Sequence, residues 1–523
     1  MSAPTSDGLQ GSSPGAASTQ DVLDPDLLPE SNGLGPPFEV ADLPAPPPFG
    51  PRNLFKVIGP GAILLATSIG GGEWLVGPAM AVQYGLGLFW VVPVSIILQL
   101  MINLEGIRYT LYTGEPIYGG FLRLAPGPKF WGVFYSLAAF LQLCWPALAL
   151  LCANTLFSVA MGRLPGAETS DYLTAKLMGV GLVIAVLAIL HFGGTIERML
   201  EWVAWFMLAF IFLFLLVVNV IFIPFEHWVE TFLGFFGLAE SSAGGAGTGG
   251  KVDWKLLGAL VATAGTGGVG NLTITNWMRD KGYGMGKLTG AIPSAIGARE
   301  IGLSHHGKVF PATAGNLHRW SEWMRYVHVE QIFIWAFFCF AGMYLNVNLA
   351  TGIMEPGTNL QGIAAGAYQA EKMAELLWSG FWFLTLFNGF WILFKTQLGN
   401  TDILVRTIAD VLWLSSSRVR RWRGGDIRAV YYALLFAVSA WGVSTLWWAG
   451  AADMFKVLAN MAGLVLAIAS VQILIVNRSF LPRALRPALW REGLLVFASI
   501  FYWFFAIMWL CQIFGIRLPS FLE

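Results

Sequence analysis

Apolar residues run along this chain in long stretches set apart by short polar or charged connections. Eleven stretches come close to the 20 or so apolar residues that a helix needs to cross hydrocarbon. They fall at 56–82, 87–112, 131–160, 175–193, 199–223, 254–277, 328–350, 376–397, 428–449, 454–476 and 489–513. The pattern predicts an all-α membrane protein of eleven spanning helices. Residues 1–51 are rich in Pro, Gly, Ser and Asp, and Lys and Arg are absent until Arg52. Such a composition cannot bury a core and predicts a disordered tail.

Two of the eleven stretches are interrupted by glycines. Span one, from Ile58 to Val82, is broken at Gly70-Gly71-Gly72-Glu73. Span six, from Trp254 to Trp277, is broken at Gly265-Thr266-Gly267-Gly268-Val269-Gly270-Asn271. An unpaired backbone amide in hydrocarbon costs several kcal/mol, so a broken helix is tolerated only where it lines a protein-walled or watery cavity. Glycines also serve as packing contacts between membrane helices, but three in succession exceed what a contact requires. Breaks in the first and sixth spans divide the bundle as five plus five plus one. Two inverted repeats with a site at the breaks is the plan of a secondary transporter. The first repeat is 52–223 and the second 254–480. Residues 224–253 join them as an exposed linker through the Gly/Ser run 241–250, and 481–523 carry the eleventh span.

Composition narrows the class. Hydrophobic residues make up 56% of the chain and charged residues 12%, against roughly 25% charged in soluble domains. A net charge of zero argues against a nucleic-acid partner. Cys144, Cys152, Cys339 and Cys511 all fall in apolar stretches, too scattered for a disulfide framework or a zinc site. Roughly three-quarters of the 31 Lys and Arg residues fall in alternate connections, which predicts a cytoplasmic N-terminus and an external C-terminus, in the inner membrane of a prokaryote. The cluster Arg418, Arg420, Arg421 and Arg423 is foremost an orientation signal. No nucleotide-binding motif appears, and no nucleophile has a paired base, so neither a primary pump nor an enzyme is expected and no cofactor is implied. His305-His306 lies in the connection 278–327 without carboxylate or cysteine at ligand spacing, and reads as a solvated loop.

Around the first break the residues resemble a family. Gly59-Pro60-Gly61 is similar to the opening GPG of the Nramp divalent-metal transporters, which have the LeuT-type fold. Gln83-Tyr84-Gly85 and Leu88-Phe89-Trp90-Val91-Val92 resemble that family's Q-Y-G and L-L-W-V-V, with no gap between. Thr113-Gly114 resembles its T-G turn, and Asn271-Leu272 falls where it has N-L after M-P-H. The resemblance extends over 52–515 and implies a LeuT-type bundle with a mid-membrane substrate site. The family's D-P-G-N is absent, so its metal-binding aspartate position is Gly70 and its asparagine position Glu73. Its selective methionine falls on Gly268, the histidine after it on Gly270, and a second histidine on Thr275. Val457-Leu458-Ala459-Asn460 resembles V-L-S-Q and places Asn460 at a glutamine position.

Chemistry then bounds the substrate. With the soft ligand gone, transition metals lose their preferred donors. A hard ion such as Mg2+ keeps several waters and needs one or two carboxylates. Glu73 supplies one, with freed carbonyls and the side chains of Thr266, Asn271, Thr275 and Asn460 around it. Glycine in place of the aspartate and the methionine, at Gly70 and Gly268, is expected to widen the cavity that Gly71, Gly72, Gly265 and Gly267 also line, which suits a hydrated ion or an organic solute. Half-helix N-termini after Gly72 and Gly270 would present free amides to an anionic group. The leading expectation is a divalent-cation transporter with Glu73 as ligand. The alternative is a carrier of a small organic solute, and a third is a scaffold that does not transport. Lys395, after Asn388 in span eight, either replaces a coupling ion between spans one and eight, as the LeuT-type resemblance implies, or snorkels to headgroups. Glu105 and Arg108 are expected to form an ion pair, and Glu197 and Glu201 to be interfacial.

Overall fold

The computed structural model describes residues 27–166, 168–191, 196–238, 253–292, 303–360 and 362–516. The run 241–250 and most of the linker lie outside them. All eleven predicted spans form helices. Among the described residues, eight helical segments are long and apolar enough to cross a membrane unaided. The other three are the broken spans one and six and the charge-bearing span eight.

Span one consists of Pro51–Val57, Pro60–Ser68, a wide π-type turn Gly72–Val76, and Gly77–Tyr84. Its break centres on Ile69, which is extended at φ −69° and ψ 94°. Span six is Trp254–Thr263 and Val269–Lys281. Gly267 and Gly268 between its halves take φ of +83° and +57°, a region that side chains disfavour. The remaining spans are Val91–Thr113, Thr169–Ile189, Ile196–Phe222, Ile427–Thr445, Ala451–Phe480 and Leu489–Ile513, with spans three, seven and eight departing from expectation.

Span three is broken as well, into Pro128–Leu143 and Ala147–Met161. Pro146 has no amide hydrogen and its ring obstructs the preceding turn, so the helix stops at Cys144. Span seven runs on from Ala314 to Ile353, with a π-type stretch Val329–Ala336 in its middle. Span eight extends as Gly380–Ser415, well beyond the apolar limit at 397. Its additional turns hold Asp402, Arg406 and Asp410, all fully buried. They are tolerated because each charge is paired. Arg406 bonds Asp402 at 2.9 Å and also Asp280, and Arg279 bonds Asp410 at 2.9 Å. Tyr431 and Trp277 donate to Asp402 at 2.7 and 2.9 Å. This network ties span six to spans eight and nine at one face of the bundle.

At the same face, residues 27–50 correct the reading of a disordered tail. Glu39–Val40 pairs in parallel with Lys308–Val309. Arg123 donates to Asn32 O at 3.0 Å and Pro36 O at 2.6 Å, while its other nitrogens hold Glu115. Trp323 donates to Pro44 O at 2.8 Å, and Leu43 is fully buried. The segment has too few apolar residues for a core of its own and is held by donors from the bundle, which its own composition cannot reveal. Glu105 and Arg108 form the expected pair at 2.6 Å, joined by Arg491 at 2.9 Å. Glu201 pairs with Lys281 at 15% exposure rather than lying free at an interface; the side chain of Glu197 lies outside the described residues.

Spans one and eight approach closely because span eight offers glycines. A Cβ at Gly399 would overlap Thr67, and one at Gly389 would overlap the Trp74 ring. Gly399→Ala is expected to destabilise the protein by about 1–3 kcal/mol through overpacking. Gly442→Ala, inside the helix Ile427–Thr445 where a Cβ meets nothing within 4 Å, should not lower the thermal unfolding midpoint in detergent and should raise it slightly through helix propensity.

Candidate functional site

The two breaks meet in the middle of the bundle. Ser68 and Thr266 hydroxyls lie 2.6 Å apart, and the Trp335 indole donates to both, at 3.0 and 3.1 Å. Each break frees backbone groups, and most of those groups have been taken by side chains.

At the first break the carbonyls of Ala66 and Ile69 point out of the helix. The Lys395 ammonium donates to Ala66 O at 2.6 Å and also to Ile69 O. Thr396 donates to Ile69 O at 3.1 Å. Lys395 is 3% exposed, so it does not snorkel; it lies between spans one and eight on the carbonyls of the first break. Glu73 is fully buried, and its Oε2 accepts from Gly70 N at 2.8 Å, capping the second half of its own span. Its Oε1 has no hydrogen-bond partner among the described residues. The carboxylate is within electrostatic reach of Lys395 and of Cys339.

At the second break two glutamines that the sequence reading passed over complete the backbone. Gln99 of span two accepts from Gly267 N at 3.1 Å and donates to Ala262 O at 3.4 Å. Gln142, just before the break in span three, accepts from Val269 N at 3.0 Å and donates to Gly267 O at 3.3 Å. The free amides expected at this half-helix N-terminus are therefore occupied. A lone amide side chain in an apolar span is the signal that points to them, since hydrocarbon offers it no partner.

The glycines do not widen the cavity. A Cβ at Gly70 would meet Thr396 at 2.9 Å, one at Gly71 would meet the Phe455 ring at 2.8 Å, and one at Gly72 would meet Thr263 Oγ1 at 2.6 Å. Gly265 faces Gln99 and Trp335, and Gly268 faces Gln142 and the Ala462 backbone. The space that larger side chains would fill is thus already occupied by neighbouring spans. No group of three His, Cys, Asp or Glu that could hold a metal ion occurs among the described residues.

Three of the expected site residues serve elsewhere. Asn460 donates to Lys255 O at 3.0 Å and joins span ten to the first half of span six. Thr275 accepts from Ile117 N at 3.1 Å and anchors the short helix after span two. Asn271 donates to Asn103, which donates to Gln331, at 2.9 and 3.1 Å, a polar chain through spans six, two and seven, while Asn271 Oδ1 has no partner among the described residues. Asn388 is buried beside Gly389, where Trp74 packs, and its Oδ1 has no partner among the described residues.

On the face opposite the 27–50 segment, a cavity of about 190 Å³ descends toward the first break. Gln83, Tyr84, Asp253, Asn359 and Lys456 line its polar parts, and Leu75, Val76, Leu151 and Phe455 its apolar walls. Phe455 also packs on Gly71, so it separates this space from the break.

No protein family and no curated protein matches the sequence. Solved structures match by shape. A manganese transporter from Eremococcus coleocola, in complex with an aromatic bis-isothiourea substituted compound, aligns with 92% of this chain and 94% of its own. The TM-score is 0.61 at 13% identity. A single-residue variant of that transporter gives 0.61 at 12% identity, over 92% of this chain and 94% of its own. Another gives 0.56 at 11%, over 92% of each chain. The likeness establishes the fold: a LeuT-type all-α membrane bundle, as the first-span residues imply.

Gln142→Leu removes, at similar volume, the two hydrogen bonds that Gln142 gives the second break, from Val269 N and to Gly267 O. It should cost about 1–3 kcal/mol and raise amide hydrogen exchange selectively across 265–271.

Proposed function

We propose that this chain is a secondary transporter of a small organic solute, moving it by alternating access past the paired breaks, with the 27–50 face cytoplasmic. One observation carries the choice of substrate class: the Lys395 ammonium on the carbonyls of Ala66 and Ile69. Those carbonyls, with Glu73, are the oxygens that a hard cation would need. A donor already seated on them blocks a divalent ion and leaves it one carboxylate, and no group of three His, Cys, Asp or Glu gathers there among the described residues. The partly apolar cavity supports the same reading, because its volume accommodates several waters or one small solute. In this account Glu73 Oε1 faces the solute's positive or hydrogen-bond-donating end, and Lys395 takes the place of a coupling metal ion.

The divalent-cation reading keeps one observation in its favour, the buried Glu73 Oε1 without a partner. An ionisable group at mid-membrane without a full set of partners is costly and marks function.

Uptake into proteoliposomes separates the two. A mixture of radiolabelled amino acids, Mg2+ and Mn2+ would each be offered to native protein and to Glu73→Gln. Saturable amino-acid uptake lost in the variant, with metal uptake no faster than in empty liposomes, is expected. Saturable Mg2+ or Mn2+ uptake abolished by Glu73→Gln would reverse the assignment. Uptake of none of them would favour the non-transporting scaffold.

A further inference from the structure

Span one carries a second buried carboxylate contact, far from the break and unused by the site above. Glu330 lies in the π-type stretch Val329–Ala336 of span seven and is fully buried. Its Oε1 accepts from Gly59 N at 2.8 Å and from Gly61 N at 2.7 Å. Its Oε2 accepts from the Tyr283 hydroxyl at 2.7 Å. These two amides open the helix Pro60–Ser68, so the carboxylate caps its positive end from another span. The glycines of Gly59-Pro60-Gly61 have a steric cause in the same cluster. A Cβ at Gly61 would meet Glu330 Cγ at 2.5 Å, and one at Gly59 would meet the Glu201 carboxyl at 2.6 Å.

The cluster is buried but not sealed. Glu201 and Lys281, paired with each other, keep 15% and 18% exposure and stand beside Gly59 on the face that holds the 27–50 segment. Lys281 is within electrostatic reach of Glu330. On the other side of the π-type stretch stand Glu105, Arg108, Arg491 and His328, with Arg491 3.4 Å from His328 Nε2. A π-type insertion in a long helix is a frequent mark of a functional position. Here it presents Glu330 to span one, Gln331 to the Asn103–Asn271 chain and Trp335 to Ser68 and Thr266.

We propose that Glu330 is a proton-sensitive positioning residue that latches the inner half of span one. In the anionic form it holds Gly59 and Gly61 by charge-assisted hydrogen bonds. A proton arriving past Glu201 and Lys281 neutralises it, weakens those bonds about twofold and frees the segment from Val57 to Ser68 to swing. The inference rests on the alternating-access reading, since the freed segment is what would open the site toward this face. It assigns a regulatory role at a place separate from Glu73.

Amide hydrogen exchange in lipid nanodiscs, corrected at each pH for intrinsic rates, reads the latch without any transport. In native protein, protection across 57–64 should fall on the order of tenfold as pH is lowered through the Glu330 titration. Glu330→Gln should show the lowered protection at every pH. Tyr283→Phe removes the bond to Oε2, together with the 3.0 Å bond to Val57 O, but leaves both glycine amides on Oε1; it covers the case in which Glu330→Gln does not fold. It should keep the pH-dependent fall at a displaced midpoint. Protection in native protein that is flat with pH, or a pH response unchanged in both variants, would overturn the latch. A pH-dependent latch in a protein without uptake would sink the transport reading alone, and uptake with a flat latch would sink this inference alone.

Discussion

Breaking a helix inside hydrocarbon exposes carbonyls and amides that have no water to turn to, and each one left unpaired costs several kcal/mol. The centre of this protein is organised around that requirement. Lys395 and Thr396 of span eight cover the carbonyls of span one. Gln99 of span two and Gln142 of span three cover the groups freed in span six. Glu73 caps its own half-helix through Gly70. The position of span eight follows from this, because only a closely packed helix brings a lysine to two carbonyls of its neighbour. Gly389 and Gly399 allow that approach.

The same requirement explains how this bundle departs from the metal-transporter resemblance. Where that family has an aspartate, Gly70 abuts Thr396, and where it has a methionine, Gly268 abuts Gln142. The lost ligands leave no empty site behind, since donors from other spans have closed around the breaks. Among the described residues the unmatched atoms near the breaks include one carboxylate oxygen, on Glu73, below a cavity whose floor is Phe455, and the amide oxygens of Asn271 and Asn388. The opposite face is held shut by the Arg279–Asp280–Asp402–Arg406–Asp410 network, by the 27–50 segment and by Glu330.

Much of the architecture was legible from local pattern. Eleven apolar stretches gave eleven spans, and the glycine runs marked the breaks, because both depend on residues near in sequence. The limits were tertiary. The run past 397 in span eight was read as a connection because Asp402, Arg406 and Asp410 look exposed until Arg279, Asp280 and Tyr431 come from other spans to meet them. Pro146 carried a signal of the third break that apolar content masked. Thr275 and Asn460 were placed at the site through family positions, yet each bonds a backbone group elsewhere. Glu330 sat at the presumed edge of span seven, where a carboxylate attracts no attention, and only the longer helix puts it inside.

In the proposed mechanism Lys395 stands where a mobile cation would otherwise bind. Thermal unfolding in detergent, titrated with Na+ and with Mn2+ against an inert cation at constant ionic strength, addresses it directly in native protein and in Lys395→Ala. A ligand that binds only the folded state raises its stability with concentration. Native protein is predicted to be indifferent to both ions, and the variant to gain a saturable, cation-dependent stabilisation as the carbonyls of Ala66 and Ile69 become available. Saturable stabilisation of the native protein by either ion would contradict the account.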